Sequence, residues 1–89
     1  MIERDLTITN KLGLHARAAA KVVSVSCRYS CTIQVRQGER LIDAKSIMGL
    51  LTLGAAKGTT LTVQVDGEDE VPAMDELADL FERKFDEGE

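Results

Sequence analysis

The stretch Asn10–Lys21, NKLGLHARAAAK, leads from a polar loop containing glycine into an alanine-rich run that predicts a helix. It holds the only histidine of the chain, His15, two residues before Arg17. The first N–H groups of a helix lack internal acceptors and carry partial positive charge, so they attract anions such as phosphate. Arg17 adds a planar, permanently charged group that fits phosphate oxygens. Because imidazole keeps a nitrogen lone pair near neutral pH, His15 is also a candidate nucleophile toward phosphorus.

Outside this stretch, hydrophobic residues recur with one of two periods. Some segments have the period of two that is typical of strands, and others have the period of about 3.6 that is typical of helices. Period two predicts strands at Ile2–Thr9, Thr32–Gln37, Arg40–Asp43 and Thr59–Asp66, with a tight reversal at Gln37-Gly38. The helical period predicts helices from about Ala16 to Cys27, from Ser46 through IMGLLTL to Gly54, and from about Glu70 to Phe85. This order predicts an α+β, βαββαβα open-faced sandwich, in which helices cover one face of an antiparallel sheet.

The same spacing predicts which side chains face the core. In the first strand and first helix they are Ile2, Arg4, Leu6, Ile8, Ala19, Val22, Val23 and Ser26. In the short helix, Leu50 and Leu53 are expected to point inward, whereas Ile47, Met48 and Leu51 stay partly exposed. The apolar stripe of the last helix is predicted to contain Val71, Met74, Leu77, Ala78, Phe81 and Phe85.

Length and composition predict a single small domain spanning residues 1–89. Aromatic residues make up only 3% of the chain, so the core must be mainly aliphatic. The sequence has no long apolar run and no basic-then-apolar leader, so we expect a cytoplasmic protein without membrane insertion. Two cysteines, Cys27 and Cys31, are expected to be reduced, and with one histidine elsewhere no metal-ligand cluster is indicated.

Charge is distributed unevenly along the chain, although the net charge is −4. Residues 1–65 contain nine basic and four acidic residues, whereas residues 66–89 contain eleven acidic and two basic ones. A basic body suits an acidic protein partner or a phosphoryl group, and the acidic remainder argues against nucleic acid. The acidic segment is also explained by a solvated helix that keeps the protein soluble.

Two separate motifs, GLHARAAA at residues 13–20 and AKSIMGLLTLGAAKG at residues 44–58, resemble the HPr family of histidine-containing phosphocarriers of the bacterial phosphotransferase system. The resemblance implies a sheet with strand order 1-4-2-3 and a monomeric protein substrate that needs no cofactor and is not an independent catalyst. It also implies that Nδ1 of His15 receives a phosphoryl group from phospho-enzyme I and passes it to EIIA proteins. Arg17 and the backbone amide of Ala16 would hold the phosphoryl oxygens. Ala18 departs from the proline found in many members of the family, which loses some preorganisation of the helix start.

The second motif has both a structural and a functional interpretation. Ser46 is suited to cap the short helix by accepting the N–H of Gly49. The family resemblance adds phosphorylation of Ser46 by an HPr kinase/phosphorylase, with a transcription regulator as a further partner. It also implies a docking surface for enzyme I and EIIA, consisting of Ala20, Ile47, Met48, Leu51, Thr52 and Gly54.

Three functional interpretations remain open from the sequence. The first is a phosphoryl carrier, and the second is a purely regulatory binding module controlled through Ser46 or His15. The third is a nitrogen-related branch of the phosphotransferase system that feeds regulators with little sugar transport. The pair of His15 and Arg17 favours the carrier, and residues 10–21 contain no Asp or Glu to activate water against a phosphohistidine. The sequence alone does not choose between the two ring nitrogens of His15.

Overall fold

The structure, a computed structural model, describes residues 1–87 and confirms the predicted fold. Four strands form one antiparallel sheet in the order β1-β4-β2-β3, as the family resemblance implies. The strands are β1 (Ile2–Thr7), β2 (Thr32–Gln37), β3 (Arg40–Asp43) and β4 (Thr60–Asp66). The helices are α1 (Ala16–Ser26), α2 (Ile47–Leu51) and α3 (Glu70–Glu82).

The sheet has one buried face and one polar face, as expected for alternating strands. Val63 on β4 lies opposite Val35 of β2, and Leu61 lies opposite Leu6 of β1; all four are buried. Arg4, predicted on this face, is exposed, because its long side chain at the outer strand carries its charge into water, whereas Leu6 on the same strand is buried. On the other face, polar side chains pair across strands; for example, the hydroxyl of Thr62 donates to the carboxylate of Asp5 at 2.8 Å.

Helix α1 presents a buried stripe slightly rotated from the predicted one. Its buried residues are Ala18, Ala19, Val22, Val25 and Ser26. Val23, predicted to face the core, is only half-buried, and Val25 takes its place. The predicted stripe began at Ala19, whereas Ala18 is also completely buried, so the buried stripe is centred on Val22.

Helix α2 contains a glycine, Gly49, because the helix packs closely against β3. A Cβ atom at this position would come within 2.6 Å of Cγ2 of Ile42. Leu50 is buried within the helix and Leu53 just beyond it, as predicted. The helix ends earlier than the predicted segment, with Thr52 as its C-cap, and Gly54 follows with a φ of 57°.

Helix α3 ends at Glu82, three residues before the predicted end. Arg83 is its C-cap, and Lys84, Phe85 and Asp86 follow in a single turn with φ angles of 57°, 54° and 63°. Left-handed angles cost a non-glycine residue about 1–2 kcal/mol, so this turn needs compensating contacts. Phe85 supplies one, since it is completely buried and packs edge-to-face on Phe81 with ring centroids 4.9 Å apart. The turn brings Glu87 to the N-terminus of α1.

The predicted stripe of α3 is correct in its centre and wrong at its start. Met74, Leu77 and Phe81 are buried, whereas Val71 is 57% exposed. The sequence pattern also missed two buried residues of the helix, Ala73 and Leu80.

Both cysteines are free thiols, Cys27 exposed and Cys31 buried. Within residues 1–87, no helix is long and apolar enough to cross a membrane.

Candidate functional site

His15 is the N-cap of α1, as expected from the sequence. Its backbone is extended, with φ −85° and ψ −178°, and its carbonyl accepts the first helical hydrogen bond from Ala19 at 2.8 Å. The N–H of Arg17 donates to Nδ1 of the ring at 3.3 Å, a long hydrogen bond. Nδ1 therefore faces the positive end of the helix, next to the free amide of Ala16.

Asn10, Gly13 and Leu14 hold the loop that carries His15. Asn10 is completely buried, and its Nδ2 donates to the carbonyl of Gly13 at 2.8 Å. Gly13 has a φ of 70°, and a Cβ there would lie 2.5 Å from the carbonyl oxygen of Ala55. That same oxygen accepts the N–H of Leu14 at 2.8 Å. The loop before α1 is therefore fixed to the segment that follows α2.

A carboxylate lies against the ring of His15, contrary to the expectation of a site without one. It belongs to Glu87, whose Oε2 contacts Nε2 of His15 and whose Oε1 accepts Nδ2 of Asn10 at 2.7 Å. The expectation was wrong because it considered residues 10–21, whereas Glu87 is brought in by the left-handed turn after α3. Hydrogen bonds from Asn10 and His15 lower the pKa of the Glu87 carboxyl, which keeps it ionised.

The two ring nitrogens of His15 therefore have different partners. A carboxylate oxygen only accepts, so Nε2 carries the hydrogen. Nδ1 accepts the N–H of Arg17 and keeps its lone pair. Both oxygens of Glu87 are engaged, on the side of the ring opposite Nδ1, so this carboxylate is not placed to activate water at a group on Nδ1.

The His15 ring opens into a cleft of about 670 Å³ between the loop, α1 and the C-terminal turn. Lys11, Arg17 and Lys21 give its wall positive charge, and within residues 1–87 the guanidinium of Arg17 makes no hydrogen bond or ion pair. On the far wall, Asp86 pairs with Lys21 at 3.3 Å and with Arg83 at 2.9 Å. Hydrogen bonds from Arg83 and Lys21 lower the pKa of Asp86. Leu12, which is 68% exposed, lines the cleft as well.

The residues expected to form a docking surface are wholly or partly accessible. Ile47 is 38% exposed and Met48 69%, while Leu51 is half-buried, as predicted. The remaining three, Ala20, Thr52 and Gly54, are exposed. Thr52 is partly engaged, because Arg40 donates to its carbonyl and its hydroxyl at 2.5 and 2.7 Å.

Ser46 caps α2, with its hydroxyl oxygen accepting the N–H of Gly49 at 3.2 Å. It is half-buried, and its backbone N–H donates to the carbonyl of Asp43 at 3.0 Å. Ser46 therefore has the predicted structural role, which is to cap the N-terminal end of α2. The loop of His15 is contacted by Ala55, in the segment that follows the other end of this helix.

Sequence reasoning missed Glu87, and it gave no role to Asn10, Leu12 or Lys21. Asn10 and Lys21 lie in the stretch Asn10–Lys21, but their roles depend on contacts with the C-terminal turn. Phe85, an aromatic residue among charged ones, indicates that this segment packs on the core but does not indicate the left-handed turn that brings Glu87 to His15. Among residues 1–87, no cluster of three or more histidine, cysteine or acidic side chains is arranged to hold a metal ion.

Comparison with known proteins agrees with this geometry. A family model described as "PTS HPr component phosphorylation site" matches residues 2–83. The chain is 48% identical over 87 residues to the phosphocarrier protein HPr of Xylella fastidiosa, covering 98% of both chains. It is 43% identical over 86 residues to the phosphocarrier protein NPr of Shewanella violacea, covering 97% of this chain and 94% of that one.

Among solved structures, HPr-C-His from Thermoanaerobacter tengcongensis superimposes with a TM-score of 0.94 at 41% identity, covering 98% of each chain. The family match and the full-length relatives agree with the fold and with the motif around His15. This chain belongs to the HPr family of phosphocarrier proteins of the phosphotransferase system.

Proposed function

We propose that this phosphocarrier works through Nδ1 of His15, which accepts a phosphoryl group from phospho-enzyme I and passes it to EIIA proteins. The observation that carries the proposal is the division of roles between the two ring nitrogens. Nε2 is held by Glu87, whereas the lone pair of Nδ1 faces the N-terminus of α1. The chain acts as a protein substrate of its partners rather than as an independent catalyst, and we place it in the cytoplasm.

The surroundings of Nδ1 supply charge for a phosphoryl group. Phosphoryl oxygens on Nδ1 would replace Nδ1 as the acceptor of the Arg17 N–H, and the amide of Ala16 lies beside it at the helix N-terminus. The exposed guanidinium of Arg17 can pair with the same oxygens through two parallel hydrogen bonds. Lys11 adds positive charge to the cleft, whereas the charge of Lys21 is balanced by its ion pair with Asp86. These groups favour a dianionic phosphoryl group without the need for a metal or cofactor.

The docking surface is proposed to be Ala20, Ile47, Met48, Leu51, Thr52 and Gly54. Its apolar centre is exposed, and the methionine side chain adapts to different partner shapes. Substituting Met48→Glu should slow transfer from enzyme I at least fivefold while leaving the unfolding midpoint unchanged, because Met48 is mostly exposed. If the Met48→Glu variant transfers phosphate at the wild-type rate, this surface is not where enzyme I docks.

We also propose that Ser46 is a regulatory phosphorylation site. An HPr kinase/phosphorylase would phosphorylate it, and a transcription regulator would be one partner that recognises the phosphorylated chain. A phosphate at this helix N-terminus adds a charge of about −2 next to the docking surface and would repel an acidic partner. Incubation with the kinase and ATP should give a stable phosphoprotein that is lost in Ser46→Ala. No label on the wild-type chain would remove this part of the proposal.

The carrier function is tested with enzyme I and radiolabelled phosphoenolpyruvate. The wild-type chain should take up label that is acid-labile and alkali-stable, and the label should move to an added EIIA protein. His15→Ala should take up none, whereas Lys57→Ala, at an exposed position outside the cleft, should behave as the wild type. Failure of the wild-type chain to take up label would refute the proposal.

A second candidate function is that of a carrier in the nitrogen-related branch of the phosphotransferase system. The two functions differ in which EIIA proteins accept the phosphoryl group. It is supported by the similarity to a phosphocarrier named NPr, at an identity close to that with the HPr relative. Presenting the phosphorylated chain with sugar-specific and regulatory EIIA proteins in parallel distinguishes the branches by which acceptor takes the label faster.

A further inference from the structure

We propose that Glu87 is a positioning residue for phosphoryl transfer: it fixes the His15 tautomer and stabilises the positive charge that the ring acquires on phosphorylation. This inference rests on the proposed role of His15 as phosphoryl acceptor. It arises from the contact between Glu87 and Nε2, on the side of the ring away from the reacting nitrogen.

Glu87 is held in place rather than simply lying near the ring. Its side chain is 12% exposed, and that of His15 is 30% exposed. Asn10, which also holds the loop through Gly13, binds the second oxygen of the carboxylate at 2.7 Å. The turn that carries Glu87 is anchored by the buried Phe85 and by the ion pair between Asp86 and Lys21. A strained turn kept in this position by so many contacts is consistent with a function for the residue that it places.

The electron balance of the transfer step shows what this carboxylate contributes. The lone pair of Nδ1 forms the bond to phosphorus while the bond from phosphorus to the donor breaks, and that electron pair leaves with the donor. No proton moves at His15, because Nε2 already carries the hydrogen and keeps it. The ring therefore gains a positive charge that is shared with Nε2–H, directly opposite the carboxylate. A buried aspartate does the same for the catalytic histidine of serine proteases, by fixing its tautomer and stabilising the imidazolium.

Glu87→Gln is the informative substitution because it preserves shape, removes the charge and replaces one acceptor oxygen with an NH₂ donor. The carboxylate accepts from two donors, Nδ2 of Asn10 and Nε2 of His15, with one oxygen each. An amide has one acceptor oxygen and one donor group, so it cannot satisfy both. If its oxygen stays on Asn10, its NH₂ group faces Nε2 and favours the tautomer in which Nδ1 is protonated and cannot attack phosphorus.

The matched control is Glu82→Gln, which removes the same charge from an exposed position on the last turn of α3. Single-turnover transfer from labelled phospho-enzyme I should be about tenfold slower for Glu87→Gln and unchanged for Glu82→Gln, by analogy with groups that orient metal-binding histidines, whose loss costs about 10–100-fold. In the same samples, NMR of the ring nitrogens at alkaline pH reports the tautomer. The other charged side chains around His15 and Glu87 are those of Lys11, Arg17, Lys21 and Asp86. Both variants retain all four.

The proposal expects one tautomer, protonated on Nε2, in the wild type and a shift toward protonated Nδ1 in Glu87→Gln. It is overturned if Glu87→Gln transfers at the wild-type rate or faster, since a faster variant would mean that the carboxylate only obstructs the site. Slower transfer with unchanged ring-nitrogen shifts would also overturn it, because the loss would then lie in partner docking. If instead the wild-type chain takes up no phosphate, the carrier function itself fails, and the tautomer measurement remains a separate result.

Discussion

The substitution Gly13→Ala tests how firmly the loop of His15 is fixed to the rest of the molecule. Gly13 has a φ of 70°, and an added Cβ would lie 2.5 Å from the carbonyl oxygen of Ala55 and 2.9 Å from Cα of Ala56. Both contacts are with backbone, so no side-chain rotation relieves them. The two segments must separate, and the hydrogen bond from the N–H of Leu14 to Ala55 is lost.

The expected cost has two parts. Alanine in a left-handed conformation costs about 1 kcal/mol relative to glycine. Loss of the Leu14 hydrogen bond leaves a buried N–H unpaired, which costs about 1–3 kcal/mol. We therefore expect Gly13→Ala to lower the free energy of unfolding by about 3 kcal/mol, or the melting temperature by about 12–24 °C for a domain of this size.

Gly38→Ala is the matched control, because Gly38 has a similar φ of 60° but an added Cβ meets no atom within 4 Å. It should lower the free energy of unfolding by only about 1 kcal/mol, the left-handed cost alone. Urea unfolding followed by circular dichroism measures both variants. Equal losses for Gly13→Ala and Gly38→Ala would refute the reasoning, because the contact between the two segments would then contribute nothing.

Two further predictions concern the C-terminal turn and the start of α3. Phe85→Ala should reduce the free energy of unfolding by about 3 kcal/mol in urea titrations, since a fully buried aromatic ring is lost; a reduction below about 1 kcal/mol would mean that the turn is not anchored there. Hydrogen bonds from the backbone N–H groups of Ser30 and Cys31 lower the pKa of the Asp69 carboxyl below its usual 3.8. Because the pKa of Asp69 is lower in the folded state than in the unfolded state, the ionised Asp69 carboxyl stabilises the folded state above about pH 4. This stabilisation is lost as pH falls through the lowered pKa. The urea midpoint should therefore fall less steeply between about pH 4 and pH 2 in Asp69→Asn than in the wild type, and parallel declines would contradict this role.

The element order and much of the site could be predicted because their signals are local. β2 and β3 have the predicted bounds, since alternation in Thr32–Gln37 and Arg40–Asp43 is interrupted by a turn of clear composition. The cap roles of His15 and Ser46 were also predictable, because each residue directly precedes a helical run. Errors concentrate at element ends and edges. Val71, for example, is exposed although Ala73 in the same turn is buried, because the buried face of α3 is rotated from the predicted stripe toward Ala73 and Leu80.

The contact between His15 and Glu87 could not be predicted, because it joins residues 72 positions apart through an unusual turn. The four-residue spacing of Phe81 and Phe85 fits a continuing helix, and Phe85 is indeed buried as predicted. It reaches the core by a different route, with left-handed φ angles at three successive residues that are not glycine. Sequence patterns favour glycine at such positions, so the position of Glu87 could not be predicted from the sequence.

The central claim is that the two nitrogens of His15 have separate roles, and NMR of the phosphorylated protein tests it most directly. Isotope-labelled histidine allows coupling between phosphorus and each ring nitrogen to be measured after reaction with enzyme I and phosphoenolpyruvate. The account predicts that phosphorus is bonded to Nδ1 and that Nε2 retains its hydrogen against Glu87. A phosphoryl group bonded to Nε2 would contradict it, because that nitrogen is the one that Glu87 occupies.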